Sequence, residues 1–513
     1  MRYSEWIGRL GALSLVVGLV FAPAIVVASE SASTSATVEN KLSVAELRAD
    51  FATLYKSLRA SHYDLYAHRS RADYDAYFRG ESTALDTPLD RAEAARRFQR
   101  FVAYGRVAHA HIDAPIASFM SWRAQGGKML PLFARVVDGK VYLLEAADAD
   151  GHLPAGTEIE TVDGEPALVW LDRLAAYVSA DRPYMAYAQL EKMLPIAAWE
   201  ALGPIDVVQV RARGPDGAVF TQRVAALSAD EYGRLGKRYP TPAPDTDFNQ
   251  RDWRLLGDGI AYLRPGPFYN IEAAADGPAP SYEASAYRRF IDGAFEKIIV
   301  AGATDLIVDL RDNPGGDNSF SDPMVAWFAT RPFKFASSFR IKASAANKAW
   351  YRAQQAKNEA AKTPPDAVMT ALVKAEFAHS DGQRYDYPIA LVEPRPQPRF
   401  GGRVYVLVNR HSYSNATSVA ALIQDYGFGR ILGEETSDLP SSYASVVYFD
   451  LPHTGFSVTY PKSRFLRPSG DRALRGVIPD IAIATPVEPS ATDTVLARAR
   501  DEVLNARGDP GVR

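Results

Sequence analysis

Apolar residues follow four different rhythms along this chain. From Leu10 to Ala28 they run without a charge (LGALSLVVGLVFAPAIVVA), behind Arg2 and Arg9. Positive, then apolar, then small is the order of a secretory signal, and Val26 and Ala28 suit the small-residue positions before a cut near Ser29. The run is long for a signal, so an uncleaved anchor is the alternative. Pro23 interrupts it, and Ser/Thr-rich sequence follows. On either reading the body of the protein is exported. No later stretch reaches the roughly 18 apolar residues that a membrane span needs.

The second rhythm is helical. Residues 29–42 form a linker, and a helix is expected from Ser43. Ser43 and Glu46 make the capping-box pattern, and Leu47, Phe51, Leu54 and Leu58 follow at helical spacing. A second helix is expected from Pro88 to about Tyr104, so residues 43–117 read as a helical domain. Residues 118–228 change to short strand-like runs (LFARVV, KVYLLEA, VVQVRAR) with Asp-Gly turns at 138–139, 163–164 and 216–217. Such a β-rich module could take an extended peptide at a sheet edge. Residues 229–252, rich in Pro, Asp and Gly, read as a linker. From 253 to 490 strands and helices alternate, the pattern of an α/β core. Strands are expected at 259–263, 306–310 and 404–408, and helices at 287–301 and 414–426. A helical insertion is expected at about 340–380. Residues 491–513 read as a tail.

Composition narrows the class. At 513 residues the chain is long enough for about three domains, and 47% apolar residues suit a soluble globular protein. A net charge of -3 gives no electrostatic reason to expect nucleic acid. There are no cysteines, which excludes disulfides, thiolate metal sites and a cysteine nucleophile. An exported chain without cysteine fits a bacterial periplasm or envelope. HExxH, Walker and GxSxG patterns are missing, so zinc proteases, nucleotide hydrolases and α/β-hydrolase esterases gain no support. No metal or cofactor is expected.

Two segments carry candidate chemistry. In Asp305–Asn318 (DLIVDLRDNPGGDN) a buried strand runs into a turn with Pro314, Gly315 and Gly316. Paired glycines let a backbone turn with its N–H groups outward, as an oxyanion requires. An ordinary strand-to-helix turn reads the same way. In Val404–Thr436 a strand leads through a polar turn to Ser414 at a helix start, where the helix dipole favours negative charge. Simple capping of that helix by Ser412 or Ser414 is the alternative.

Taken together, the segments resemble the carboxyl-terminal processing peptidases and the tricorn protease core. That family carries a DLRxNxGG strand-turn, then a strand-turn-helix with the serine, then GExT and GVxPD. This chain has Asp309-Leu310-Arg311-Asp312-Asn313-Pro314-Gly315-Gly316, Ser414, Gly433-Glu434-Glu435-Thr436 and Gly476-Val477-Ile478-Pro479-Asp480 in the same order. The likeness extends upstream: residues 118–228 resemble the family's PDZ-like domain, with a Gly turn at 162–166. It implies a ClpP/crotonase-like α/β core and an exported serine peptidase acting on polypeptide. It also implies Ser414 as nucleophile, with N–H groups of Gly315 or Gly316 and of Asn415 as the oxyanion hole.

The base does not follow the processing branch, whose lysine lies about 25 residues after the serine. Here Thr436-Ser437-Asp438-Leu439-Pro440 stands in its place, and Lys462 comes too late. The other branch uses a histidine from the N-terminal part. Resemblance points to His109, with His111 as the alternative; the Asp-Gly usual before it is missing. Histidine suits the task because its neutral form accepts a proton near neutral pH. His411, three before the serine, is a rival that such a turn usually points elsewhere. His62 and His68 are expected to pack or face solvent. For a third member, Ala473 stands where the tricorn branch has Glu; Asp471 and Asp480 are nearby, the latter fitting a structural role. Two other functions stay open: hydrolysis of a non-peptide acyl substrate, and a binding protein with a degenerate site.

Overall fold

A computed structural model describes residues 41–507 apart from 149, 275–276, 279–282, 361 and 363–366. The signal segment, residues 29–40 of the linker and the last six residues lie outside this range. Most described segments form the element types their patterns predict, except that the expected 229–252 linker and 491–513 tail contain helices.

The first helix is Val44–Ser61. Its capping box is complete: Ser43 Oγ accepts from Glu46 N–H while the Glu46 carboxylate takes Ser43 N–H. Helices Arg71–Ala84 and Arg91–Ala103 follow, the latter capped by Asp90 rather than starting at Pro88. Leu47, Phe51, Leu54 and Leu58 are all buried, as their spacing predicts. They do not close a core of their own, however. They pack with Val447, Val458 and Tyr460 from strands Tyr443–Asp450 and Ser457–Leu466, and with Trp350 and Tyr351 of the insertion. Residues 43–117 are thus one layer of a shared core, because their aromatic face needs apolar surface that only the C-terminal half supplies.

The middle module is an antiparallel sheet in the strand order 134–137, 140–143, 158–162, 207–213 and 219–225, with residues 165–166 pairing beside 158–162. Helices Ala167–Ala175 and Pro183–Leu202 cover one face through Trp170, Leu171, Leu190 and Leu194. The second helix is kinked at Met193, where Pro195 interrupts the helical bonding. The expected 229–252 linker is half structured: a second capping box, Ser228 with Glu231, starts helix Ala229–Arg238.

The core sheet has the order 481–482, 430–433, 403–408, 305–309, 260–264, 252–257. All pairs are parallel except the last. Every residue of Asp305–Asp309 is buried, as expected of a parallel strand covered on both faces. Helices Ser285–Val300, Asn318–Val325 and Asn415–Tyr426 cover one face. Helix Thr494–Ala506 covers the other through Val495, Leu496, Ala499 and Val503. The expected tail therefore belongs to the core, since removing it would expose the far face of the sheet. The insertion forms helices Ala345–Ala360 and Ala367–Phe377 beside a second sheet, in the order 384–386, 338–342, 457–466, 443–450.

Candidate active site

In the sheet Asp309 lies opposite Leu407, so strands 305–309 and 403–408 end side by side and release their turns together. The two turns are tied by hydrogen bonds. Asn409 Oδ1 accepts from Asp312 N–H at 3.0 Å, and its Nδ2 donates to Asp312 Oδ2 at 2.8 Å. Ser412 Oγ donates to Leu310 C=O at 2.6 Å, and Tyr413 N–H to Asn313 C=O at 3.0 Å. Ser412, fully buried, is therefore a lock between turns and not a helix cap.

Ser414 is different. It sits at the N-cap of Asn415–Tyr426 with φ 53° and ψ -119°, and its side chain makes no capping bond. A non-glycine residue in this region costs on the order of 1–3 kcal/mol, held only where the surroundings over-determine it. Here the neighbouring bonds do so, and they leave the hydroxyl free at a partly exposed position. The Ser414 N–H donates to Asp438 Oδ2 at 2.6 Å.

The glycine turn presses against this serine. Gly315 has φ +87°, and a Cβ there would lie 2.6 Å from Asn415 N and 2.8 Å from Ser414 Cβ. Its own N–H donates to Asn313 Oδ1 at 2.9 Å. Gly316, at φ +136°, packs on Phe268 so closely that a Cβ would strike the Phe268 carbonyl. Among the described residues, the N–H groups of Gly316 and Asn415 have no hydrogen-bond acceptor. They are the free donors beside the serine.

His109 lies in the loop after helix Arg91–Ala103. Its ring stacks on Tyr413, the residue before Ser414, with centroids 5.4 Å apart and planes at 28°. Its Nε2 is buried without a hydrogen-bond partner. Burial pulls the imidazole down to about 4 against the opposing effect of Asp181, with His111 adding slightly. Neutral imidazole, the form that accepts a proton, is the state at pH 7.

The other sequence candidates have other partners. His111 bridges to Thr459 through its backbone and faces Asp113 at 3.3 Å. His411 turns away from Ser414 to Glu191 at 3.3 Å. There it joins a buried charge network between module and core, with Arg135–Glu191 at 2.6 Å, Arg410–Glu434 at 3.0 Å and Lys192–Asp312 at 2.8 Å. Asp471 is on the surface and engages Ala473 N–H and Arg475. Asp480 ties Ile431 N–H and Gln424, a structural role as expected. Lys462 is buried against the Tyr351 ring and the Ser445 carbonyl, in the layer shared with the N-terminal helices. His62 is fully buried, whereas His68, expected to pack or face solvent, pairs with Asp181 at 3.0 Å.

Two carboxylates escaped the sequence reading. Asp438 occupies the stretch where the processing branch carries its lysine context. It is fully buried, and its oxygens accept from Ser414 N–H and, at 2.8 Å, Leu439 N–H. Burial and then Asp181 push its carboxyl up to about 7, outweighing the two N–H bonds that favour the ionised form. Asp181 comes from the module, just before helix Pro183–Leu202, and accepts from Ala108 N–H at 3.2 Å, next to His109. No motif marks it; only an acid before a proline-started helix is visible in sequence.

With this geometry in place, comparison with known proteins is informative. Residues 279–483 match the model of peptidase family S41. That stretch, less than half of the chain, is similar to S41 peptidase domains. It contains both turns, Ser414 and Asp438, and it makes the chain a serine-type peptidase, a hydrolase by class. Around that stretch the fold likeness runs nearly end to end. Mature CPAF aligns over 92% of this chain and 99% of its own, at 15% identity and a TM-score of 0.58. Mature CPAF complexed with lactacystin aligns over 90% and 97%, at 15% identity and a TM-score of 0.55. At such identity these are likenesses of fold. No curated protein matches the sequence.

Proposed function

We propose that this chain is an exported peptidase that cleaves polypeptides through an acyl-enzyme on Ser414. The observation that carries the reading is the serine itself. It is held at a strained turn with its hydroxyl making no capping bond, next to Tyr413, on whose ring His109 stacks. Ser414 Oγ attacks the scissile carbonyl carbon, and its proton passes to His109. The carbonyl oxygen takes up negative charge facing the N–H groups of Gly316 and Asn415. On collapse the C–N bond breaks, and the amine leaves with the proton from His109. Water then repeats the sequence on the ester, releasing the acid and restoring Ser414.

The β-rich module fits the PDZ-like reading, a surface for part of an extended substrate. Residues 1–28 fit a secretory signal that delivers the chain to the periplasm or envelope. Among the described residues no helix is long and apolar enough to cross a membrane. Labelling of the chain lacking residues 1–28 with a fluorophosphonate tests the nucleophile. Wild type should label, and Ser414→Ala should not. A folded wild type that never labels would overturn the reading.

A further inference from the structure

The proposed mechanism leaves His109 needing a group to orient it and to stabilise the imidazolium. The acids near the expected sequence position are spent elsewhere: Asp471 on its own surface loop and Asp480 on a strand end. Asp438 is spent on the backbone of Ser414 and Leu439. Asp181 bonds the histidine loop from outside it.

We propose that Asp181 is the positioning residue of this site, a carboxylate that the middle module supplies to the base. Its Oδ2 accepts from Ala108 N–H and so fixes the backbone one residue before His109. Its Oδ1 meets His68 Nε2 at 3.0 Å, and the side chain is only 3% exposed. Little solvent screens it from its neighbours. The titratable groups that face it are His68, His109, Asp438, Tyr413 and Tyr443. Around His109 stand Asp181, His111 and the Tyr413 ring. When Ser414 gives its proton to His109, the Asp181 side chain beside the loop offsets the new charge.

The same segment grips the core. Arg182 pairs with Glu435 at 2.7 Å, and Tyr184 Oη donates to the Glu435 carbonyl at 3.0 Å. Residues 181–184 therefore bridge the loop of the base and the loop leading to Asp438. Correct seating of the module becomes a condition for a competent base, and a core without its module would hold the serine but not a positioned histidine.

This inference rests on the Ser414–His109 reading, and the test separates the two. Full-length mature chain and its Asp181→Asn variant are labelled with a fluorophosphonate across pH 3.5 to 8. Asp181→Asn should label on the order of 100-fold more slowly at pH 7. A carboxylate raises the pKa of a nearby imidazole, so its loss should also move the acid limb of the profile to lower pH. Asp181→Glu should recover the limb. A folded Asp181→Asn with wild-type rate and limb overturns the proposal while leaving Ser414 and His109 in place. Loss of labelling in the wild type sinks the underlying reading and the proposal with it. If Asp181→Asn does not fold, His68→Gln carries the test. Freed from that partner, Asp181 should move the limb to higher pH, and an unmoved limb overturns the proposal.

Discussion

The serine turn and the histidine loop meet at one ring contact, Tyr413 on His109, yet they are built in opposite ways. The serine turn is determined within the core. Strands 305–309 and 403–408 deliver it, and bonds among Leu310, Asp312, Asn313, Asn409 and Ser412 lock it. The histidine loop has no such local frame. It is held by Thr459 from a distant strand and by Asp181 from the module. The difference teaches that the serine turn should survive changes elsewhere, whereas the histidine loop depends on long-range assembly.

The largest effect should come from Ser414→Ala, which removes fluorophosphonate labelling outright if the turn carries the nucleophile; residual labelling elsewhere on the chain would break the comparison at its root. Next, His109→Ala should slow labelling on the order of 100- to 10,000-fold with the fold intact by circular dichroism. If the rate barely changes, the base lies elsewhere. Gly315→Ala should be nearly as damaging, because its methyl would press on Ser414 and Asn415 at a backbone angle that favours glycine. We expect loss of labelling together with a fall in stability of about 1–3 kcal/mol, read from urea unfolding. Wild-type kinetics in Gly315→Ala would mean that the two turns are not pressed together.

The pH profile sharpens the contrast further. His109 is held down to about 4 by burial, below the ordinary histidine value near 6.5. The folded protein thus prefers the neutral ring. Its contribution to stability is fully present above the unfolded pKa and is lost as pH falls from about 6.5 through 4. The acid limb of labelling in wild type should likewise lie nearer 4 than 6.5, checked by rates in a constant-ionic-strength buffer series. The smallest effect belongs to Asp471→Asn, at the surface and bonded within its own loop, which should label within about twofold of wild type. A large loss there would restore Asp471 as a member of the site.

Motif order in the sequence was enough to bring Gly315, Gly316, Ser414 and Asn415 together, because each rides on an element whose period is local. Whether Ser414 caps its helix was not decidable from its helix-start position; the backbone angle and the missing capping bond show that it does not. That the Asn313 side chain takes the Gly315 N–H was equally hidden. His111, the alternative to His109, is engaged by Asp113, and His411, the rival, by Glu191.

By itself the sequence determined most element types, the α/β character of the core and the order of a glycine turn and a serine turn. Periodicity, capping residues and glycine angles act over a few residues, and they need no knowledge of the rest of the chain. Only the tertiary structure decided that the N-terminal helices share a core with the second sheet, and that residues 494–506 close the main one. It also decided that Asp181 bonds the histidine loop and Asp438 the serine turn. These are contacts across tens to hundreds of residues. They depend on which apolar faces bury one another, and no local pattern encodes them.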